Sequence, residues 1–274
     1  MLALLSPLAD VEAAKIRIRL QTPGGVEQKV YLARPVGLAA DRPIVFVMHG
    51  VRRNADEYRD QWYGLAEEHD LLVVVPEFSD DDFPGAEGYN YGNVYDEAGE
   101  VKPRSTWAFE AIEPIFDDVR RRYGMTAEGY SIYGHSAGAQ FVHRFLMHVP
   151  EARVQRAVAA NAGWYTMPDF SVDFPYGLRG SAVGREDLGG ALQLPLTVLL
   201  GDADTDPRHP SLRRTPEALA QGAHRFARGQ AFFATARAAA TDLQVPFGWQ
   251  LATVPGADHD NVRMAPAAIP YLLP

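Results

Sequence analysis

Polar and apolar positions alternate over Lys15–Leu20 and nearly alternate over Gln28–Arg34, on either side of the turn signal Thr22-Pro23-Gly24-Gly25. A period of two broken by such a turn predicts an antiparallel hairpin at a sheet edge. From residue 44 the pattern changes. Ile44–Met48, Leu71–Val75, Tyr130–Tyr133, Val154–Ala160 and Leu196–Leu200 are short apolar runs, the signature of strands buried on both faces. The stretches between them predict helices over Ala55–His69, Trp107–Tyr123, Ala137–Val149 and about Gly222–Leu243. A strand at Gly248–Val254 and a short helix at Val262–Leu273 close the chain. Strand, helix, strand in repetition implies an α/β architecture: a mostly parallel central sheet, an antiparallel N-terminal hairpin and helices on both faces.

Two stretches fit neither period. Pro76–Arg104 is rich in Asp, Gly, Tyr and Asn, and Trp164–Leu194 carries many aromatics and glycines. Long loops in compact α/β domains tend to shape binding sites at the carboxyl ends of parallel strands, so 164–194 is a candidate lid or pocket loop. No Ser/Pro linker, charge block or repeat divides the chain, which reads as a single domain over 1–274 with an N-terminal extension at 1–14.

Composition narrows the functional classes. With 47% hydrophobic and 22% charged residues the chain is ordinary globular material, which excludes disordered and fibrous readings. Its formal charge of -9 opposes the attraction to phosphate on which nucleic-acid binding rests, so no nucleic-acid partner is expected. A count of 0 Cys removes disulfides, thiolate metal sites and a cysteine nucleophile. No apolar run approaches the ~18 residues of a membrane helix. The opening Met1–Ala9 is apolar but lacks a positive n-region and is short for a signal core, so the expectation is a cytoplasmic protein, with export through a trimmed or weak signal as the alternative.

The chemistry concentrates at Gly134-His135-Ser136-Ala137-Gly138, a G-x-S-x-G between an apolar strand and a helix. A turn this tight leaves no room for side chains at 134 and 138 and lifts the serine hydroxyl above the sheet. An N-capping serine in an ordinary strand-to-helix turn is the bland alternative. A serine nucleophile needs a base to take its proton and a carboxylate to orient that base. The strand Leu196–Leu200 runs into Gly201-Asp202-Ala203-Asp204-Thr205-Asp206, where the acid belongs, and the next strand runs into Val254-Pro255-Gly256-Ala257-Asp258-His259, which supplies the base. The order Ser, Asp, His is that of a nucleophile-elbow hydrolase.

From about residue 44 to the carboxyl end, the chain resembles the α/β-hydrolase family. The set His49-Gly50-Val51-Arg52-Arg53-Asn54, Gly134-His135-Ser136-Ala137-Gly138 and Gly256-Ala257-Asp258-His259 is similar to the polyhydroxybutyrate-depolymerase-like esterases. The resemblance implies an α/β-hydrolase fold, Ser136 as nucleophile and His259 as base. Its G-x-x-D pattern puts the acid on Asp204, with Asp202 and Asp206 as competitors. It also implies oxyanion donors at the amides of Ala137 and Val51, with Arg52 as runner-up for the second. The expected activity is cofactor-independent cleavage of carboxylic esters through an acyl-enzyme, on small or polymeric (short-chain or polyester) substrates. A serine peptidase or amidase with the same triad, or a non-catalytic scaffold that binds, are the alternatives.

Other signals are weaker. Asp202, Asp204 and Asp206 match the start of a calcium loop, but Pro207 and Arg213 stand where such a loop needs Gly and Glu, so no metal is expected. Asp80-Asp81-Asp82 reads as a solvated turn. Arg52, Tyr91, His135, Trp164 and Tyr165 are the candidate pocket residues, the aromatics either walling a cleft over Ser136 suited to an apolar acyl or polyester chain or only sealing the loops onto the sheet. His135 reads equally as a packing residue inside the elbow, and His49 as a brace for the oxyanion loop. Oligomeric state is not legible.

Overall fold

The structure is a computed structural model that describes residues 14–273; the opening segment read above as an extension or weak signal lies outside the described residues, apart from Ala14. Strands β1 (Ala14–Gln21) and β2 (Glu27–Arg34) form the antiparallel hairpin. They are followed by β3 (Ile44–Met48), α1 (Ala55–His69), β4 (Leu72–Pro76), a single turn α2 (Gly85–Gly88), α3 (Ile112–Tyr123), β5 (Tyr130–His135), α4 (Ala137–His148) and β6 (Val154–Ala160). The chain continues through α5 (Arg185–Gln193), β7 (Leu196–Gly201), α6 (Pro216–Gln221), α7 (Arg225–Leu243), β8 (Gln250–Val254) and α8 (Asn261–Leu272). The eight strands make one sheet in the order β1-β2-β4-β3-β5-β6-β7-β8, antiparallel from β1 to β4 and parallel beyond.

Alternation within the buried strands divides the core into two layers. Ile44, Phe46 and Met48 of β3 face a layer with Phe116 of α3 and Phe141 and Phe145 of α4, together with Leu188, Phe232 and Trp249. Val45 and Val47 face the other way, against Tyr58, Trp62 and Ala66 of α1 and Met264, Ala268 and Ile269 of α8. Helices therefore cover both faces, as a sheet with apolar residues on both sides requires. No helix among the described residues is long and apolar enough to cross a membrane.

Three departures from the sequence expectations have local causes. The stretch predicted as helix from Trp107 opens as a 3-10 turn over Ala108–Ala111 and becomes α-helical at Ile112. Within 164–194, Arg185–Gln193 is helical despite Gly189-Gly190. Asp187 Oδ2 accepts from the Gly184 amide at 2.8 Å, and Leu188, Ala191 and Leu192 bury one face. Helix α6 escaped notice although it carried a start signal: Thr215 Oγ1 accepts from the Ala218 amide at 3.4 Å and Pro216 occupies the first turn.

Candidate active site

The elbow is built from backbone. Ser136 lies between β5 and α4, at the N-cap of the helix, with φ 57° and ψ −112°, a strained conformation held because Gly134 and Gly138 let the chain turn against its neighbours. A Cβ on Gly138 would lie 2.0 Å from the Met48 carbonyl oxygen, and one on Gly134 2.2 Å from that of Gly138. Glycine is thus dictated by contact at both positions.

Above this turn the three side chains drawn from separate loops meet. Ser136 Oγ lies 2.9 Å from His259 Nε2, and His259 Nδ1 lies 2.8 Å from Asp204 Oδ2. A carboxylate only accepts, so Nδ1 carries the imidazole proton and Nε2 offers its lone pair to the serine hydroxyl. Asp204 is buried; burial alone pushes its carboxyl up, but the hydrogen bond and charge of His259, with the charge of Arg225, outweigh that and bring it below the usual carboxylate value. Arg225 Nη1 donates to Asp204 Oδ1 at 3.1 Å. The neighbouring aspartates are engaged elsewhere: Asp202 Oδ1 accepts from the Gly256 amide at 2.6 Å and Asp206 Oδ1 from the Arg208 amide at 2.8 Å. Among the described residues no group of His, Asp and Glu is arranged to hold a metal ion.

Asn161, at the end of β6, sets the height of the two loops. Its Oδ1 accepts from the Gly201 amide at 2.8 Å, and its Nδ2 donates to the Asp258 carbonyl at 2.9 Å. On the opposite side of β5, the loop after β3 is held by His49. Its Nδ1 donates to the Gly50 carbonyl and its Nε2 accepts from the Phe78 amide, both at 3.0 Å, so the ring is neutral; burial pushes its pKa down to about 3. Tyr89 Oη donates to the His49 carbonyl at 2.9 Å. Ala137 stands in the first turn of α4, whose amides lack intrahelical acceptors, and the amide of exposed Val51 donates to no atom among the described residues.

A cleft of about 450 Å³ opens over Ser136, lined by Arg52, Asn54, Tyr58, Gln61, His135, His209, Ser211, His259, Asp260 and Asn261 together with Gly50 and Val51. Of the pocket residues expected from sequence, the structure brings Arg52 and His135 to this cleft but not Tyr91, Trp164 or Tyr165. The side chain of Trp164 is packed between the guanidinium groups of Arg144 (4.4 Å) and Arg213 (5.0 Å), Tyr91 meets it edge-on at 5.6 Å, and Tyr165 stacks on Phe232 at 4.3 Å. These rings pack the two long loops onto the fold, and most of the residues around Ser136 carry polar side chains. His135 lies with its ring 4.8 Å from that of His259; burial, reinforced by the charges of His259 and Arg225, keeps its pKa well below the ordinary value. Sequence reading missed Arg225, Asn161, Tyr58, Gln61, Ser211 and Asn261, none of which lies in a recognisable motif, and passed over His209 for want of ligand spacing.

No protein-family model and no curated protein sequence matches the chain. Solved structures do. Poly(aspartic acid) hydrolase-1 from Sphingomonas sp. KT-1 is 45% identical with a TM-score of 0.93, over 96% of this chain and 99% of that one. LpqC, a poly(3-hydroxybutyrate) depolymerase from Bordetella parapertussis, is 37% identical with a TM-score of 0.89, over 95% of this chain and 91% of that one. FphF, a fluorophosphonate-binding serine hydrolase from Staphylococcus aureus, shares the fold at 16% identity and a TM-score of 0.59, over 94% of this chain and 96% of that one.

Proposed function

Given that the chain belongs to the α/β-hydrolase superfamily, and that its relatives at 45% and 37% identity are both hydrolases, we propose that it is a serine hydrolase that cleaves carboxylic esters through an acyl-enzyme. The observation that carries this reading is the unbroken path from Ser136 Oγ through His259 to Asp204, at 2.9 and 2.8 Å. Ser136 Oγ attacks the carbonyl carbon as its proton passes to His259 Nε2. Asp204 stabilises the imidazolium so formed and holds it in line. The amides of Val51 and Ala137 donate to the oxygen on which negative charge develops; one such donor is commonly worth 10²–10³ in kcat. His259 then returns the proton to the leaving oxygen, and water, activated by the same imidazole, releases the acid.

Arg52, Asn54, Gln61 and His209 among the lining residues offer hydrogen-bonding partners to a substrate that presents polar groups along its length. Both close relatives are named for polymers that repeat a carbonyl along the main chain, one an ester and the other an amide. A second reading, cleavage of amide linkages in a polyacid, is favoured by the poly(aspartic acid) hydrolase. Intact mass after treatment with a fluorophosphonate, followed by peptide mapping, tests the nucleophile: one adduct on Ser136 is expected, and none, or one elsewhere, overturns the mechanism. Release of acid from p-nitrophenyl esters, poly(3-hydroxybutyrate) and poly(aspartic acid) then separates ester from amide preference.

A further inference from the structure

His209 carries a signal that the triad does not use. It stands in the loop after β7, lines the same cleft as Ser136, and its ring centre lies 5.7 Å from that of His259 at an interplanar angle of 66°. Its Nδ1 is surrounded by donors. Arg225 Nη2 lies 3.2 Å away, the Ser211 amide 3.2 Å and Ser211 Oγ 3.0 Å, while Arg225 Nη2 also donates to Ser211 Oγ at 2.9 Å. A guanidinium and a backbone amide have no lone pair to offer, so a proton on Nδ1 would face two donors that cannot accept it. Nδ1 is therefore the acceptor and the neutral ring carries its proton on Nε2. Desolvation and the charges of Arg225 and His259 outweigh Asp204 and Asp206 and lower the pKa of this imidazole, in agreement with the neutral form. Nε2 donates to no atom among the described residues.

Position on the sheet says what this donor meets. Of the oxyanion candidates, Val51 comes from the loop after β3, on one side of Ser136, and Ala137 from the turn after β5 itself, whereas His259 and His209 come from loops after β8 and β7, on the other side. The leaving atom must approach His259 Nε2 to receive its proton, which puts the leaving group on the His209 side. We propose that His209 is a substrate-binding residue whose Nε2–H donates to a carbonyl or carboxylate oxygen one repeat beyond the scissile bond, with Arg225 as the positioning residue that selects its tautomer. This rests on the acyl-transfer reading and adds a preference for leaving groups that carry such an acceptor.

The test compares two acetates of matched length, that of methyl 3-hydroxybutanoate, which has the acceptor carbonyl, and that of 2-hexanol, which lacks it. The wild type is expected to prefer the first, and His209→Leu to lose roughly three- to tenfold in kcat/KM on the first, chiefly through KM, and less than about twofold on the second. His209→Gln, whose amide N–H takes the place of Nε2–H, should recover most of the loss. Equal losses on both acetates, or none, overturn the binding role. Imidazole ¹⁵N shifts in the wild type provide a readout independent of turnover: a neutral ring with protonated Nε2 supports the proposal, and a protonated Nδ1 at pH 7 overturns it. If wild-type Ser136 takes no fluorophosphonate, the acyl-transfer reading fails and this proposal with it. If labelling proceeds at the wild-type rate in His209→Leu while the preference between acetates is unchanged, only the role of His209 fails.

Discussion

Arg225 donates through Nη1 to the carboxylate oxygen of Asp204 that His259 leaves free, at 3.1 Å, and both partners are almost wholly buried, at 1% and 4% exposure. An ion pair withdrawn from water this far adds little net stability over an apolar pair, but removing one member strands the other, at about 3–5 kcal/mol. Arg225→Met is thus expected to lower the denaturant midpoint strongly and to weaken activity by loosening Asp204. Arg225→Lys, which keeps the charge, should be milder on both counts. Urea unfolding and steady-state kinetics on the two variants check this; equal behaviour of Met and Lys would show that the charge is not what matters.

Ser136→Ala removes the only atom in the site proposed to bond to substrate carbon. A loss of roughly 10³ or more in kcat is expected with the fold unchanged, and adding His259→Ala should make the variant barely worse, since triad members act as one unit. Kinetics on the two single variants and the double variant, with circular dichroism as the folding control, read both effects.

The three neighbouring aspartates differ in partner, not in type. Asp204→Asn keeps volume while removing the charge beside His259, and a drop of roughly 10²–10⁴ in kcat is expected. Asp202→Asn and Asp206→Asn disturb bonds to the Gly256 and Arg208 amides and should cost far less. Parallel assays of the three variants decide the matter, and a larger loss at 202 or 206 would move the acid.

Acid lability follows from histidines that the fold keeps neutral. Burial lowers His49 to about 3 and His148 to about 4, and puts His135 and His143 well below 6.5. His49, His143 and His148 all donate through Nδ1 to a carbonyl. Each group binds a proton in the unfolded chain below pH 6.5 that the folded form refuses. Their contribution is therefore complete above pH 6.5 and is lost as pH falls toward the folded values. The urea midpoint should drop from pH 7 to pH 5, and His148→Gln should flatten that slope by up to about 1.4 kcal/mol per pH unit. A slope unchanged in the variant would remove His148 from this account.

What the sequence determined by itself was whatever local sterics and periodicity dictate. The buried strands are legible because a sheet covered on both faces needs unbroken apolar runs. The elbow is legible because Gly138 must pass 2.0 Å, measured from a notional Cβ, from the Met48 carbonyl, and no other residue can. Loop positions after strands likewise put Ser136 and His259 within reach of one another. That Asp204, rather than Asp202 or Asp206, meets His259 and Arg225 depends on which carboxylate turns inward, through contacts between residues 55 and 21 positions apart. The aromatics show the same limit from the other side. Trp164 and Tyr91 have the composition of a cleft wall, but the guanidinium groups of Arg144 and Arg213 draw them into the body of the fold. A side chain's destination is set by the partners that three-dimensional packing brings to it, and periodicity along a chain carries no record of partners that meet only when the loops close.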